Sequence, residues 1–257
     1  MKNLKLAAVC LSCLTMTGCS ALNFSVEGLI NAPKLTSEQS EIHQALIESV
    51  GSNITLKYPK NGEYRSAYVI ANIDDEPTDE AMVFYEYTSN GSEEDGLRVN
   101  ILDKDEDGKW YSVKELAGAG TDIDQVIISP MGSNNQTDVF VGYQNLTNDE
   151  KTMEIYSYTD GDFKRVALDT YSVLEPLDIN NDGYIELITI QRSTNNDTGA
   201  VTAKASMLNM KNNEITRGEN VDMCDNVTSY VSSKTGMLDS GRRAIFIDGL
   251  TADGKLQ

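Results

Sequence analysis

MEIYSYTDGDFKRVAL, Met153 to Leu168, holds two runs in which apolar and polar residues alternate, joined by Asp160-Gly161. Alternation at period two is the pattern of a half-buried strand, and Asp-Gly tolerates the positive φ of a primed two-residue turn, so the stretch predicts a β-hairpin. Two other tips have the same setting. Asp107-Gly108 lies between LRVNILD and KWYSVKEL, and Asn212-Asn213 lies between KASMLNM and EITRG. From Asp107 to Asp160 is 53 residues and from Asp160 to Asn212 is 52.

A second landmark keeps the same beat. DDEPTDEAMVFYE, GSNNQTDVFVGYQ, INNDGYIELITIQ and DSGRRAIFIDG are polar loops that each run into an apolar strand. Aligning Ala81, Val139, Leu187 and Ala244 gives steps of 58, 48 and 57. A period near fifty with four short strands per unit predicts an all-β, propeller-like array of four-stranded blades, about three and a half of them in this chain. The blades run from about Tyr64 to Leu116, from Ile123 to Leu168 and from Tyr171 to Arg217, with a fourth beginning near Val227. A β-sandwich also has evenly spaced strands, but it does not require the repeated order of loop, strand and hairpin. Since the fourth blade is half present, the array is read as incomplete at its C-terminus, ahead of a ring closed by several copies or an open stack. Ile54 to Tyr58 is a strand with no evident local partner, expected to pair into a last blade.

One short helix precedes the strands. Thr36 and Gln39 have capping-box spacing, Ile42, Ala45, Leu46 and Val50 share a helical face, and Gly51 ends it, so residues 36–51 form an amphipathic helix before a repeat domain of residues 52–257. His43, the single histidine, borders the apolar stripe and is expected at the boundary of the core.

The N-terminus is an address. Lys2 and Lys5 precede the apolar run LAAVCLSCL, too short for the roughly twenty residues of a membrane span, and TMTGC follows. This arrangement resembles the lipobox leader of bacterial lipoproteins. The resemblance implies a signal peptide over residues 1–18, cleavage before Cys19, a lipid such as palmitate on Cys19, a tether over residues 19–35 and attachment to the extracytoplasmic face of a bacterial membrane. Cys10 and Cys13 would leave with the leader, so that Cys224 is the one thiol remaining in the chain, expected in a buried strand.

DINNDGYIELITI, Asp178 to Ile190, opens as an ion-binding loop and continues as a strand. Asp178, Asn180 and Asp182 occupy positions one, three and five, Gly183 position six, and Glu186 position nine; Tyr184 at position seven offers a backbone carbonyl. Alternate oxygens before a sharp glycine turn suit a hard cation. The following YIELITI is β-branched where an EF-hand would begin a helix. In these residues the chain resembles FG-GAP or VCBS-type propeller repeats, including those of integrin α-subunits. The resemblance implies a structural Ca²⁺ held by the side chains of Asp178, Asn180, Asp182 and Glu186 and the Tyr184 carbonyl. The first blade offers a weaker set, Asn72, Asp74, Glu76 and Glu80, with Pro77 at the glycine position. The second is mostly neutral around Asn134 and Asp138, and the fourth carries Arg242 and Arg243. Asp103, Asp105 and Asp107 before Gly108 repeat the spacing in a hairpin, as a weak cation site or a solvated turn.

Composition narrows the function. The chain carries 40 acidic and 21 basic residues, a net charge of -19 that becomes -21 without the two leader lysines. Such a surface repels nucleic-acid phosphates and favours cations. No Ser-His-Asp or Cys-His set, phosphate loop or dinucleotide turn is present, so the chain is not expected to be an enzyme. Trp110 is expected in the core, and sequons such as Asn145-Leu146-Thr147 matter only in a eukaryotic secretory route. The expected role is a membrane-anchored binding or scaffold module with a protein or glycan ligand; the alternative is an enzyme or enzyme accessory acting on cell-wall or dietary glycans.

Overall fold

The computed structural model describes residues 35–88, 96–131, 136–145, 150–179, 181–194, 201–211, 214–219, 221–222 and 227–256. Cys19, the leader and tether up to residue 34, Asn134, Asn180, Asn212-Asn213 and Cys224 lie outside these residues. Chain contacts divide the protein into residues 1–38 and 39–257, and every strand belongs to the second unit.

Among the described residues, helix α1 (Ser37–Val50) is followed by strands only. Strands β1 (Ile54–Leu56), β2 (Tyr68–Ala71), β3 (Glu80–Tyr87), β4 (Leu97–Lys104) and β5 (Trp110–Ala117) form the first sheet. The second contains β6 (Asp122–Ser129), β7 (Asp138–Gln144), β8 (Lys151–Thr159) and β9 (Asp162–Tyr171). The third contains β10 (Val173–Leu177), β11 (Glu186–Thr194), β12 (Val201–Lys211), β13 (Glu214–Arg217) and the short β14 (Val221–Asp222). A hairpin of β15 (Val227–Met237) and β16 (Arg243–Thr251) makes the fourth. Every pairing is antiparallel, and among the described residues the four sheets remain separate rather than closing into one barrel.

Within the first three sheets, four successive strands pair in chain order, because each is joined to the next by a connection that returns the chain beside itself. The Asp160-Gly161 tip is the primed turn its sequence calls for: Asp160 has φ 55°, Gly161 φ 76°, and Thr159 pairs with Asp162. Asp107-Gly108 is not. There only Gly108 has positive φ, its N–H donates to Asp105 O (2.8 Å), and Asp105 N–H donates to Lys109 O (3.0 Å), which is a three-residue turn closed by a glycine bulge.

Two other expectations are corrected. Tyr171 ends β9 rather than opening the third sheet; it pairs with Lys151, and the chain leaves the second sheet at Ser172. Ile54 to Leu56 has a local partner, since β1 pairs with Tyr85–Tyr87 on β3 while β2 takes Glu80–Val83 of the same edge. Strand β3 is eight residues long, and two short strands separated by an excursion share its edge.

The sheets stack through alternating side chains. Along β3, Ala81, Val83 and Tyr85 meet Ile42, Ala45 and Leu46 of α1, with Trp110 buried among them. Met82 and Phe84, pointing the other way, join Val139, Val141 and Tyr143 of β7. Phe140 of β7 in turn packs with Tyr171, Leu174, Leu187 and Leu208 towards the third sheet. Strands β3 and β7 are therefore buried on both faces, which explains why they are apolar runs rather than clean alternations. His43 lies half-buried at the rim, its Nδ1 2.8 Å from the Tyr68 hydroxyl. No described helix is long and apolar enough to cross a membrane.

Candidate functional site

Strands β3, β7 and β11 each begin with a carboxylate, and in all three it performs the same task. Glu80 Oε2 accepts the N–H of Ile73 (2.8 Å), Asp138 Oδ2 that of Met131 (3.0 Å), and Glu186 Oε2 that of Ile179 (2.8 Å). Each bond reaches back seven residues and closes the loop that precedes its strand, β2–β3, β6–β7 and β10–β11. Glu186, assigned from sequence as the acid at position nine, is thus first of all a staple for its own loop. Asp138, in the loop read as neutral, makes the same closure and also takes the Ser157 hydroxyl.

In the third sheet the loop wraps around its opening acid. Asp178 Oδ1 accepts the N–H groups of Asn181 (2.6 Å) and Asp182 (3.1 Å), and Oδ2 accepts that of Gly183 (3.0 Å). Asp182 Oδ1 accepts the Tyr184 N–H (2.9 Å). Asn181 at φ 65° and Gly183 at φ 91° supply the curl that brings these N–H groups inward. The donor set is all oxygen and carries a net negative charge, which suits a hard cation. Among the described residues, however, no three His, Cys, Asp or Glu side chains gather closely enough to hold a metal ion.

The position equivalent to Glu80, Asp138 and Glu186 in the fourth sheet is Arg243. Its guanidinium reaches across to the third loop, where Nη1 donates to the carbonyls of Asp178 and Ile179 (both 3.2 Å) and Nη2 to Asn181 Oδ1 (3.4 Å). Where three units place an acid to close their own loop, the fourth places a cation that binds its neighbour's. The sequence signal was the aligned Arg, but its target could not be read from spacing.

The first sheet closes its loop differently again. Asn72 Nδ2 donates to the carbonyls of Glu76 (2.5 Å) and Thr78 (2.9 Å), so an amide occupies the inward position that an ion would take at the position-seven carbonyl. Asp74 Oδ1 accepts the Glu76 N–H (2.7 Å). In the hairpin of β4 and β5, Asp105 Oδ1 accepts the N–H groups of Asp107 (3.0 Å) and Lys109 (2.9 Å), while Asp103 accepts from Lys104 N–H (2.6 Å) and the Tyr111 hydroxyl (3.3 Å). The two acid runs nevertheless influence one another. Burial pushes the Glu80 carboxyl up to about 7, and the charges of Asp74 and Asp103 push the same way against the Ile73 N–H. Glu80 is 1% exposed and its Oε1 has no partner among the described residues.

Stability therefore depends on pH. With its folded value above the ordinary 4.5, Glu80 holds its proton more tightly folded than unfolded, so its contribution is greatest below pH 4.5 and declines as pH rises towards 7. Glu80→Gln keeps an acceptor for Ile73 and removes the titration. The variant is expected to gain on the order of 2 kcal/mol over the parent at pH 8 relative to pH 5, in urea melts with chelator present. Equal slopes in the two proteins would refute it.

Sequence reading missed a second polar centre, on the inner edge of the second sheet. Asp124, 2% exposed, accepts Asn61 Nδ2 (2.8 Å) and Lys151 Nζ (2.8 Å) on Oδ1 and the Tyr171 hydroxyl (2.7 Å) on Oδ2. Lys151 lies 5.6 Å from the Tyr171 ring centre. Backbone joins them too, since Lys60 N–H donates to Ile123 O (3.1 Å) and Asn61 N–H to Asp124 O (2.7 Å), laying the excursion between β1 and β2 along β6.

Protein families, curated proteins and solved structures were compared with the chain, and none matches.

Proposed function

We propose that the chain is a lipid-anchored, extracytoplasmic binding or scaffold module whose stacked four-stranded sheets are propeller-like blades, with a structural Ca²⁺ at the loop of residues 178–186. The observation that carries the reading is that loop, curled around the Asp178 carboxylate at the head of a repeated strand unit. A carboxylate that accepts three loop N–H groups keeps one lone-pair position for an ion, and Asp182 and Glu186 would add charged oxygens on the same loop. Asn180 and the Tyr184 carbonyl would complete the shell. The ion's role would be to fix the loop, alongside the Glu186 staple and the Arg243 brace, and the anchor would be a lipid on Cys19.

The test uses the detergent-solubilised chain. Palmitate label should enter the parent and be lost in Cys19→Ala. Thermal unfolding should shift upward by several degrees between chelator and 10 mM Ca²⁺, as a Kd of about 0.1 to 1 mM gives roughly 1.5 to 3 kcal/mol. Asp182→Ala should melt cooperatively without responding. A parent protein indifferent to Ca²⁺ would reduce the loop to a self-bonded turn.

A further inference from the structure

A cleft of about 490 Å³ opens between the inner edge of the second sheet and strand β10 of the third. Its wall is made by a β-bulge. Ile123 pairs with Tyr143 and Gln125 with Gly142, so Asp124 is an extra residue on β6. In an unbroken strand residues three apart face opposite ways, yet Ile123 and Val126 both enter the cluster shared with the first sheet. The inserted residue therefore turns Asp124 and Gln125 together to the opposite side, where both line the cleft.

Gln125 is the group left without a protein purpose. The residue is 8% exposed, its carboxamide reaches the cleft rather than being sealed in the core, and it has no hydrogen-bond partner among the described residues. An amide that opens only to the cleft offers its donor and acceptor to whatever fills that cleft. Beside it, Lys151 spends one of its three donors on Asp124, and Glu175 and Pro176 of β10 form the facing wall.

We propose that this cleft binds an uncharged saccharide of one or two rings, held by hydrogen bonds from the Gln125 carboxamide and the Lys151 ammonium. A carboxamide offers a donor and an acceptor side by side, and vicinal hydroxyls, each able to donate and accept, are its complement. The cleft volume falls in the range of about 300 to 1,000 Å³ usual for small-molecule sites. Two acids against one lysine, in a chain of net charge -19, turn away anionic ligands. An extended peptide adding to β10 is disfavoured because Pro176 removes an N–H from that edge strand. The inference rests on reading the chain as a binding module, but on residues remote in sequence from the calcium loop.

Calorimetric titration of the whole chain, in Ca²⁺ and in chelator, with glucose, N-acetylglucosamine, cellobiose and the peptide Ala-Val-Ala-Val-Ala as probes, tests it. Saturable binding of at least one sugar is expected, with a Kd on the order of 1 mM for about a dozen non-hydrogen atoms. Gln125→Leu should weaken it at least tenfold and Glu175→Gln severalfold. No sugar binding by a folded parent, or binding unchanged in both variants, overturns the proposal. Binding of the peptide alone overturns it in favour of strand addition. A Ca²⁺ response without sugar binding sinks this inference while sparing the loop, and the converse does the reverse.

Discussion

Asp124→Ala is expected to cost on the order of 3 to 5 kcal/mol in urea unfolding, a large share of the roughly 5 to 15 kcal/mol that holds an ordinary domain together. The carboxylate is buried and satisfies three groups, so that it joins four distant parts of the chain: the excursion at Asn61, strand β6 itself, the start of β8 at Lys151 and the end of β9 at Tyr171. Removing it leaves an ammonium and a fully buried phenol hydroxyl facing an empty space, and unpaired buried groups cost more than the bond they lose. Burial first, and then Asp124 itself, raise the Tyr171 pKa well above the ordinary phenol value, so the hydroxyl remains a donor throughout the range in which the protein would be studied. Asp124→Asn retains an acceptor for Tyr171 and loses only the ion pair, so it should cost less than half as much. A loss below 1 kcal/mol for Asp124→Ala would show that the centre is replaced by water and is not what ties β6, β8 and β9 together.

Gly142→Ala is expected to cost on the order of 3 kcal/mol although it adds one methyl group. Gly142 lies mid-strand in β7, opposite Gln125 and Met153, and a Cβ built there would stand 2.0 Å from the Tyr171 hydroxyl oxygen and 3.2 Å from both the Tyr171 Cζ and the Phe140 Cε1. Tyr171 is completely buried and tied to Asp124, so it cannot swing aside without giving up that bond. Overpacking of about 1 to 3 kcal/mol and the lost hydrogen bond combine. Tyr171→Phe should be worth far less in the Gly142→Ala background than in the parent, because it removes the clashing atom. A double-mutant cycle should give a coupling above about 1 kcal/mol; additivity within 0.5 kcal/mol would mean that the ring has another place to go.

These two residues also mark the limit of what local sequence can say. Gly142 sits in VFVGYQ, where a glycine inside a strand signals only that something approaches closely. That the neighbour is Tyr171, 29 residues away at the end of another strand, is a consequence of register. Asp124 stands in IDQVII, where two adjacent polar residues break the alternation, but the run does not say which residue is the extra one or which side it faces. The acids show the same limit. Spacing puts Glu186 and Glu80 at possible ligand positions, and the structure adds that one oxygen of each accepts a backbone N–H seven residues back, a partner that local spacing does not reveal.

By itself the sequence determined the class of structure: one amphipathic helix and then antiparallel strands in units of about fifty residues, because periodicity and turn chemistry are local and each strand meets the one beside it in the chain. It set the Asp160-Gly161 turn and the burial of Trp110 and of the helix stripe by the same local rules. Only the tertiary structure decided which oxygens close which loops, that Arg243 braces its neighbour's loop, that Ile54–Leu56 shares an edge with β2, and that a single extra residue on β6 turns Asp124 and Gln125 into the same cleft. Those outcomes depend on one-residue shifts of register, which reverse the face of every side chain beyond them while leaving composition and period unchanged.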